Sequence, residues 1–222
     1  MHRLATCPGL DPPEDVVLVE QPGADVLFLT SAGTDISCLD ASLPSNPAWN
    51  ERIRALPLSC LDHPAQLDHY LNTTAQAAHL IVVRLLGSRG HWSYGLEQLQ
   101  RWCSEAKQRQ LIVLAGTADQ SNELHGLGSC SSELADQLSA LLREGGIDNM
   151  GRFLGALEAL LEGTPPSPDN VLVVPCPDPM PWDWRDEAGA AVGVVLYRAL
   201  FQVGDIALAD ALTAALRKEG LR

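Results

Sequence analysis

The sequence predicts an α/β fold built on a mainly parallel, doubly wound sheet, and three observations carry that prediction. From Met1 to about Gly163, short β-branched runs alternate with amphipathic stretches in the order βαβαβαβ, which calls for crossover helices and parallel strands. His79 to Leu86 is nearly continuous in Ile, Val and Leu, the pattern of a strand covered on both faces. Glycine and proline clusters separate the runs at the spacing of loops.

Asp25 to Thr30 reads as a strand, and Thr34 to Leu43 as a short helix with Ile36, Leu39 and Leu43 inward. Pro44 to Asn50 is a loop, and Leu56 to Cys60 a weaker strand. Asp62, with Pro64 in the first turn, opens a helix that carries Leu67, Tyr70, Leu71 and Ala78 on one face. After the strong strand comes Gly87-Ser-Arg-Gly90, with Ser93 as the expected N-cap of a helix whose inward residues are Leu96, Leu99, Cys103 and Ala106. Leu111 to Ala115 is a strand again. Ser132 to Glu144 and Asp148 to Glu162 are amphipathic helices, punctuated by Gly145-Gly146 and Gly163. The topology fits a flavodoxin-like or periplasmic-binding-like sheet.

Three regions result. Residues 1–163 form an α/β domain with strands and helices enough for a core. Residues 164–190 hold nearly half of the 15 prolines and read as a semi-rigid linker, in which Val171 to Val174 is short enough for an edge strand. Residues 191–222 read as the incomplete start of a second α/β domain, loosely held. Val192 to Tyr197 is its strand, and a helix comes next with Leu208, Leu212, Ala215 and Leu216 on one stripe, Asp205 as N-cap and Gly220 as stop.

Composition narrows the function. With 15 Lys and Arg against 28 Asp and Glu, the net charge is −13, with no basic block, so the field repels a phosphate backbone and excludes nucleic acid as a partner. No apolar run approaches the roughly 20 residues that span a bilayer, and the N-terminus turns polar and proline-bearing too early for a signal peptide. These features place the chain in the cytoplasm, away from membranes. The six cysteines lie far apart without C-x-x-C pairing, which suits reduced, mostly buried thiols better than a zinc site.

Residues bearing chemistry are few. An open α/β sheet binds ligands beyond the carboxyl ends of its strands, and the Gly87 to Ser93 loop stands there. Arg89, with His91 and the N–H groups at Ser93, is the candidate site for an anionic substrate or partner, although a plain glycine-rich turn accounts for the same residues. The loop lacks the Gly-Lys-Ser/Thr of a Walker A motif and does not match G-x-G-x-x-G. Arg84 inside an apolar strand, and Arg198 after another, call for structural ion pairs. The histidines form no ligand pattern and read as lone surface or turn residues, and no G-x-S-x-G elbow occurs. The sequence therefore offers no catalytic residue and no metal ligand set.

Several strings together nevertheless carry a resemblance. The start MHRLAT with its subsequent PG, the phrase GADVLFLTSAGTDISCL, the block HLIVVRLLGSRGHWSYGLEQL, the helix pair EGGIDNMGRFLGAL and the late VGVVLYRALFQVGDIALADALTAALRKEGL resemble, in order, the N-terminal region of the large subunit of ATP-dependent cobaltochelatases of the CobN type. Magnesium chelatase large subunits share a looser version of the last phrase. The resemblance implies a ligase of aerobic cobalamin biosynthesis that inserts Co²⁺ into hydrogenobyrinic acid a,c-diamide. It implies a large subunit holding corrinoid and metal, and partner subunits of the AAA+ type that use Mg-ATP. It implies no cofactor bound to this segment, because the metal-handling residues of such subunits are expected beyond Arg222. On that reading the chain is a fragment or a truncated form, structural or binding in role and inactive alone. The competing reading is a free-standing, non-catalytic α/β module for ligand binding or protein interaction. Sequence beyond the codon for Arg222 separates the two.

Overall fold

A computed structural model describes residues 16–176 and 190–221. In chain order its main elements are β1 (Val26–Thr30), α1 (Gly33–Ser42), β2 (Ile53–Pro57), α2 (Pro64–Asn72), β3 (Leu80–Leu85), α3 (Ser93–Ser104) and β4 (Gln110–Ala115). Then come α4 (Ser121–Leu124), α5 (Ser132–Glu144), α6 (Ile147–Leu161), α7 (Pro168–Val171), α8 (Arg198–Gln202) and α9 (Ala207–Lys218). The four strands form one sheet in the order β2-β1-β3-β4, and every pairing is parallel. Phe28 stands opposite Ala55 on one side and Val82 on the other.

Side chains alternate across the sheet, so each face has its own core. Leu27, Leu29, Ile81, Val83 and Val113 pack with residues of α2 and α3, including Tyr70, Leu96 and Trp102. Val26, Phe28, Val82 and Leu114 pack on the other side with Leu39 of α1, Leu138 of α5 and Phe153 of α6. The rings of Phe28 and Phe153 lie 5.6 Å apart at 47°. All six residues of β3 are buried, as its composition requires. At the amino edge of the sheet Arg52 fastens β2 to α6: Nε donates to Asp25 at 2.8 Å and Nη1 to Glu158 at 2.8 Å, with the guanidinium 5.0 Å over Trp49.

Several elements differ in detail from the sequence reading. β2 begins three residues earlier than Leu56, and Leu58–Leu61 is a tight 3-10 turn instead of strand. His63, not Asp62, caps α2, through a reciprocal pair with Gln66. Trp92 precedes the first helical residue of α3, which is Ser93 itself. The inward face of α1 is Asp35, Cys38, Leu39 and Ser42, with Ile36 only half-buried. No disulfide joins Cys38, Cys60, Cys103 or Cys130, and of these only Cys38 is buried.

The proline-rich region is packed where it is described. Val171 ends α7 instead of joining an edge strand, and with Val173 it rests against the core. Asn149 of α6, 3% exposed, donates to the carbonyl of Val174 and accepts its N–H, both at 2.8 Å. Residues 177–189 of the expected linker lie outside the described residues.

The expected strand Val192 to Tyr197 is not one. Among the described residues it pairs with no neighbour, with Val195 98% and Tyr197 80% exposed. Branched apolar residues make a strand only where a ladder partner takes their N–H and C=O groups. Helix α8, directly after it, meets the first domain at the α5–α6 turn. Gly145 and Gly146, at φ 72° and 88°, form that turn, and the Gly146 N–H donates to the carbonyl of Gln202 at 3.1 Å. Arg198 pairs with Glu144 at 2.7 Å. Helix α9 stops near Gly220 as expected, but Ile206 rather than Asp205 is its N-cap residue, and Leu208 and Leu212 stay exposed.

Candidate functional site at the carboxyl edge

The strand order reverses between β1 and β3, so the chain leaves these neighbours toward opposite sides and opens a crevice beyond Thr30 and Leu85. Two pockets flank it, sharing Leu86. One, of about 230 Å³, lies on the α2–α3 side and includes Ser31, Asp62 and His91. The other, of about 150 Å³, lies between α1, β3 and the α5–α6 turn and includes Asp35, Arg84 and Arg143, with Gln202 of α8 as part of its wall.

The loop singled out by sequence lies beside the first of these pockets. Arg89, His91 and Ser93 are all exposed, and only His91 of the three lines the pocket. Gly87, at φ 129°, lets the chain leave β3, and a Cβ there would stand 2.8 Å from the His91 ring. The backbone N–H of Arg89 donates to Glu123 at 3.2 Å, and its guanidinium lies 4.0 Å from Glu97. Two carboxylates therefore already stand at this basic loop.

The second pocket holds charges that the sequence did not join. Arg84, 6% exposed, donates through Nη1 to Asp35 Oδ1, and Thr30 donates to the other carboxylate oxygen at 2.5 Å. The ion pair expected for Arg84 thus exists, with a partner on the first turn of α1. Burial pushes the Asp35 carboxyl above its ordinary value, opposed by Arg84 and Thr30. Arg84 Nε and Arg143 Nη1 are buried without a hydrogen-bond partner. Burial, then the facing Arg84 guanidinium, lowers the pKa of Arg143.

A third cluster was missed because His125 reads as a turn residue. It does occupy a turn but is 1% exposed. Nε2 accepts from the Ala115 N–H at 3.2 Å and lies 3.1 Å from Ser139 Oγ, which puts the ring proton on Nδ1, 3.1 Å from Asp136. The spacing is that of a nucleophile, base and orienting acid. Ser139 is nonetheless fully buried, and neither pocket includes it, so the chain of contacts fastens β4 to α5. A serine at the inward position between Leu138 and Leu142 was the signal available in the sequence.

This histidine sets a pH dependence. Burial lowers its pKa below the ordinary 6.5, opposed by Asp136. A folded-state value below the unfolded one makes its contribution to stability complete above about pH 6.5 and lost as pH falls through the lower, folded value. The urea midpoint is expected to drop on acidification from pH 7 to 5, and His125→Gln, which keeps an acceptor for Ala115, to flatten that slope. Equal slopes in the two proteins would place the titration elsewhere.

An open parallel sheet with paired pockets at its switch point defines the class: an open α/β fold, with no group of three or more His, Cys, Asp or Glu placed to hold a metal ion among the described residues. No helix among them is long and apolar enough to cross a membrane. No family model matches the chain. It is 31% identical, over 100% of its length, to aerobic cobaltochelatase subunit CobN of a Sinorhizobium species. It is 31% identical over 71% of its length to the CobN subunit of Pseudomonas aeruginosa. The fold is that of a solved structure described as the catalytic subunit of cobaltochelatase from Mycobacterium tuberculosis, with a TM-score of 0.59 and 21% identity over 90% of this chain and 16% of that one. The chain is therefore a relative of the CobN-type cobaltochelatase subunit and matches its N-terminal region. It spans 19% and 12% of the lengths of the two CobN subunits.

Proposed function

We propose that the chain serves as the N-terminal segment of a CobN-type subunit, in an assembly that inserts Co²⁺ into hydrogenobyrinic acid a,c-diamide in the cytoplasm. The similarity to CobN along the whole chain is the observation that supports this reading. Residues 1–163 supply an autonomous open-sheet unit, 164–190 the connection, and 191–222 lead into the next unit. Moving a hydrated cation into a macrocycle and removing two pyrrolic protons requires an enclosing body and external work, which AAA+ partners using Mg-ATP supply. This segment contributes binding surface to that body and neither hydrolyses ATP nor inserts cobalt alone. A chimaera in which this chain replaces the matching region of the Sinorhizobium subunit tests the reading. ATP-dependent cobalt insertion with the partner subunits supports it, whereas a folded, assembled chimaera without insertion overturns it.

Within that reading Arg89, with His91 and the N–H groups at Ser93, contacts a peripheral carboxylate or amide of the corrinoid or an acidic loop of a partner. In the chimaera Arg89→Ala is expected to weaken corrinoid binding or subunit assembly by about 1–3 kcal/mol, the scale of a lost charge-assisted hydrogen bond, without shifting the melting temperature. Equal dissociation constants for corrinoid and for the ATPase subunits would return the loop to a plain turn.

A further inference from the structure

We propose that the larger pocket, on the α2–α3 side of the sheet, binds a primary carboxamide and discriminates against the corresponding carboxylate. The proposal rests on the corrinoid reading for the molecule that bears the amide, and on the pocket alone for the preference. Loops at the carboxyl ends of β1, β2 and β3 bring Ser31, Ser59, Asp62 and His91 to this one cavity, and all four are exposed. Among the described residues the side chains of Ser31, Ser59 and Asp62 have no hydrogen-bond or ion-pair partner. His91 Nδ1 lies 3.3 Å from the Ser88 carbonyl oxygen, which only accepts, so the ring proton belongs there and Nε2 is an acceptor without a partner. No lysine or arginine lines the cavity, and Arg89 stands outside it.

An apolar cavity with a few convergent polar groups is the usual form of a small-molecule site. Here Leu58, Leu85 and Trp92 supply the apolar part, none more than 8% exposed, with the Trp92 indole N–H fixed on the Leu61 carbonyl at 3.3 Å. A primary carboxamide carries two N–H donors and a carbonyl acceptor, which answer Asp62, Nε2 of His91 and a serine hydroxyl in turn. A carboxylate has no donor for Asp62 and sets a second negative charge beside it. An alkylammonium gains the charge of Asp62, but an exposed ion pair is worth little, and the serine hydroxyls are left nothing on the ligand to donate to. The volume, about 230 Å³, exceeds the roughly 150 Å³ of cavities that hold benzene, so propionamide fits.

Propionamide titrated into the 222-residue chain at neutral pH, followed by amide and indole NMR shifts, is the test, with propionate and n-propylammonium as the other probes. Saturable binding of propionamide is expected, with shifts at Ser31, Ser59, His91 and the Trp92 indole, and with propionate about tenfold weaker. Asp62→Ala is expected to weaken propionamide about fivefold. Asp62→Asn removes the charge and adds a donor, and is expected to bring propionate within about twofold of propionamide while the remaining spectrum stays native. Failure of propionamide to saturate, equal or tighter binding of propionate or propylammonium, or unchanged selectivity in a folded Asp62→Asn chain would each overturn the proposal. Hydrogenobyrinic acid a,c-diamide is expected to displace propionamide; retention of propionamide at saturating corrinoid would overturn the corrinoid as bearer of the amide. Selective propionamide binding by a chain whose chimaera assembles without inserting cobalt would support the pocket and overturn the chelatase reading, so the two failures are distinguishable.

Discussion

Replacing Asp35 by alanine is expected to destabilise the chain by about 3–5 kcal/mol, measured as a shift in urea unfolding, because it strands the buried guanidinium of Arg84. The Thr30 hydroxyl loses its acceptor in the same step, so that group is orphaned too. The cost arises from an uncompensated charge rather than from a lost attraction, and a second variant separates the two. Asp35→Ala combined with Arg84→Leu removes both charges and is expected to recover most of the loss. A single substitution costing under about 1 kcal/mol would mean that Arg84 finds another partner or reaches water. The raised pKa of Asp35 has its own sign: with the folded value above the unfolded one, protonation favours the folded state, so acid lability comes from His125 and not from this pair.

Phe153→Ala is the second large loss, expected at about 3–5 kcal/mol in the same measurement. Phe153 is fully buried where α6 meets the sheet, against Phe28 of the central strand, in a close-packed interior that the loss of a ring would leave with a cavity. Against a typical total of about 5–15 kcal/mol, the variant would stand near the edge of folding. Phe153→Leu keeps most of the volume and is expected to cost about 1–1.5 kcal/mol. Equal losses for the two would indicate that ring geometry, not occupied space, is what α6 supplies.

The sheet is legible in the sequence because its strands are buried on both faces, and β3 and β4 announce that by composition alone. The start of β2 is harder to place, three residues before Leu56, because Arg54 and Pro57 leave its run only partly apolar and partly buried. The inward face of α1 escapes a periodicity that counts apolar residues, since Asp35 turns inward to meet Arg84 of β3, and Ser42 turns inward by donating to the Leu39 carbonyl of its own helix. The need of Arg84 for a carboxylate could be foreseen; the identity of a carboxylate 49 positions away could not. For the same reason Arg89 is conspicuous, in a loop, while the pocket built from Arg84 and Arg143 needs the tertiary fold to exist at all. Val192 to Tyr197 has the composition of a strand and no ladder to join among the described residues, a property of neighbours rather than of residues.

The strand order also governs how the chain assembles over time. β1 is central, yet it leaves the ribosome before either of its neighbours: Val26 pairs with Ile53 on one side and with Leu80 on the other. During synthesis its apolar residues have only α1 for local company until β2 emerges, and its second flank waits for β3. Every ladder in the sheet closes a long loop before it returns any hydrogen bonds, which makes for slow, non-local nucleation and a nascent chain that exposes an apolar strand before its partners exist.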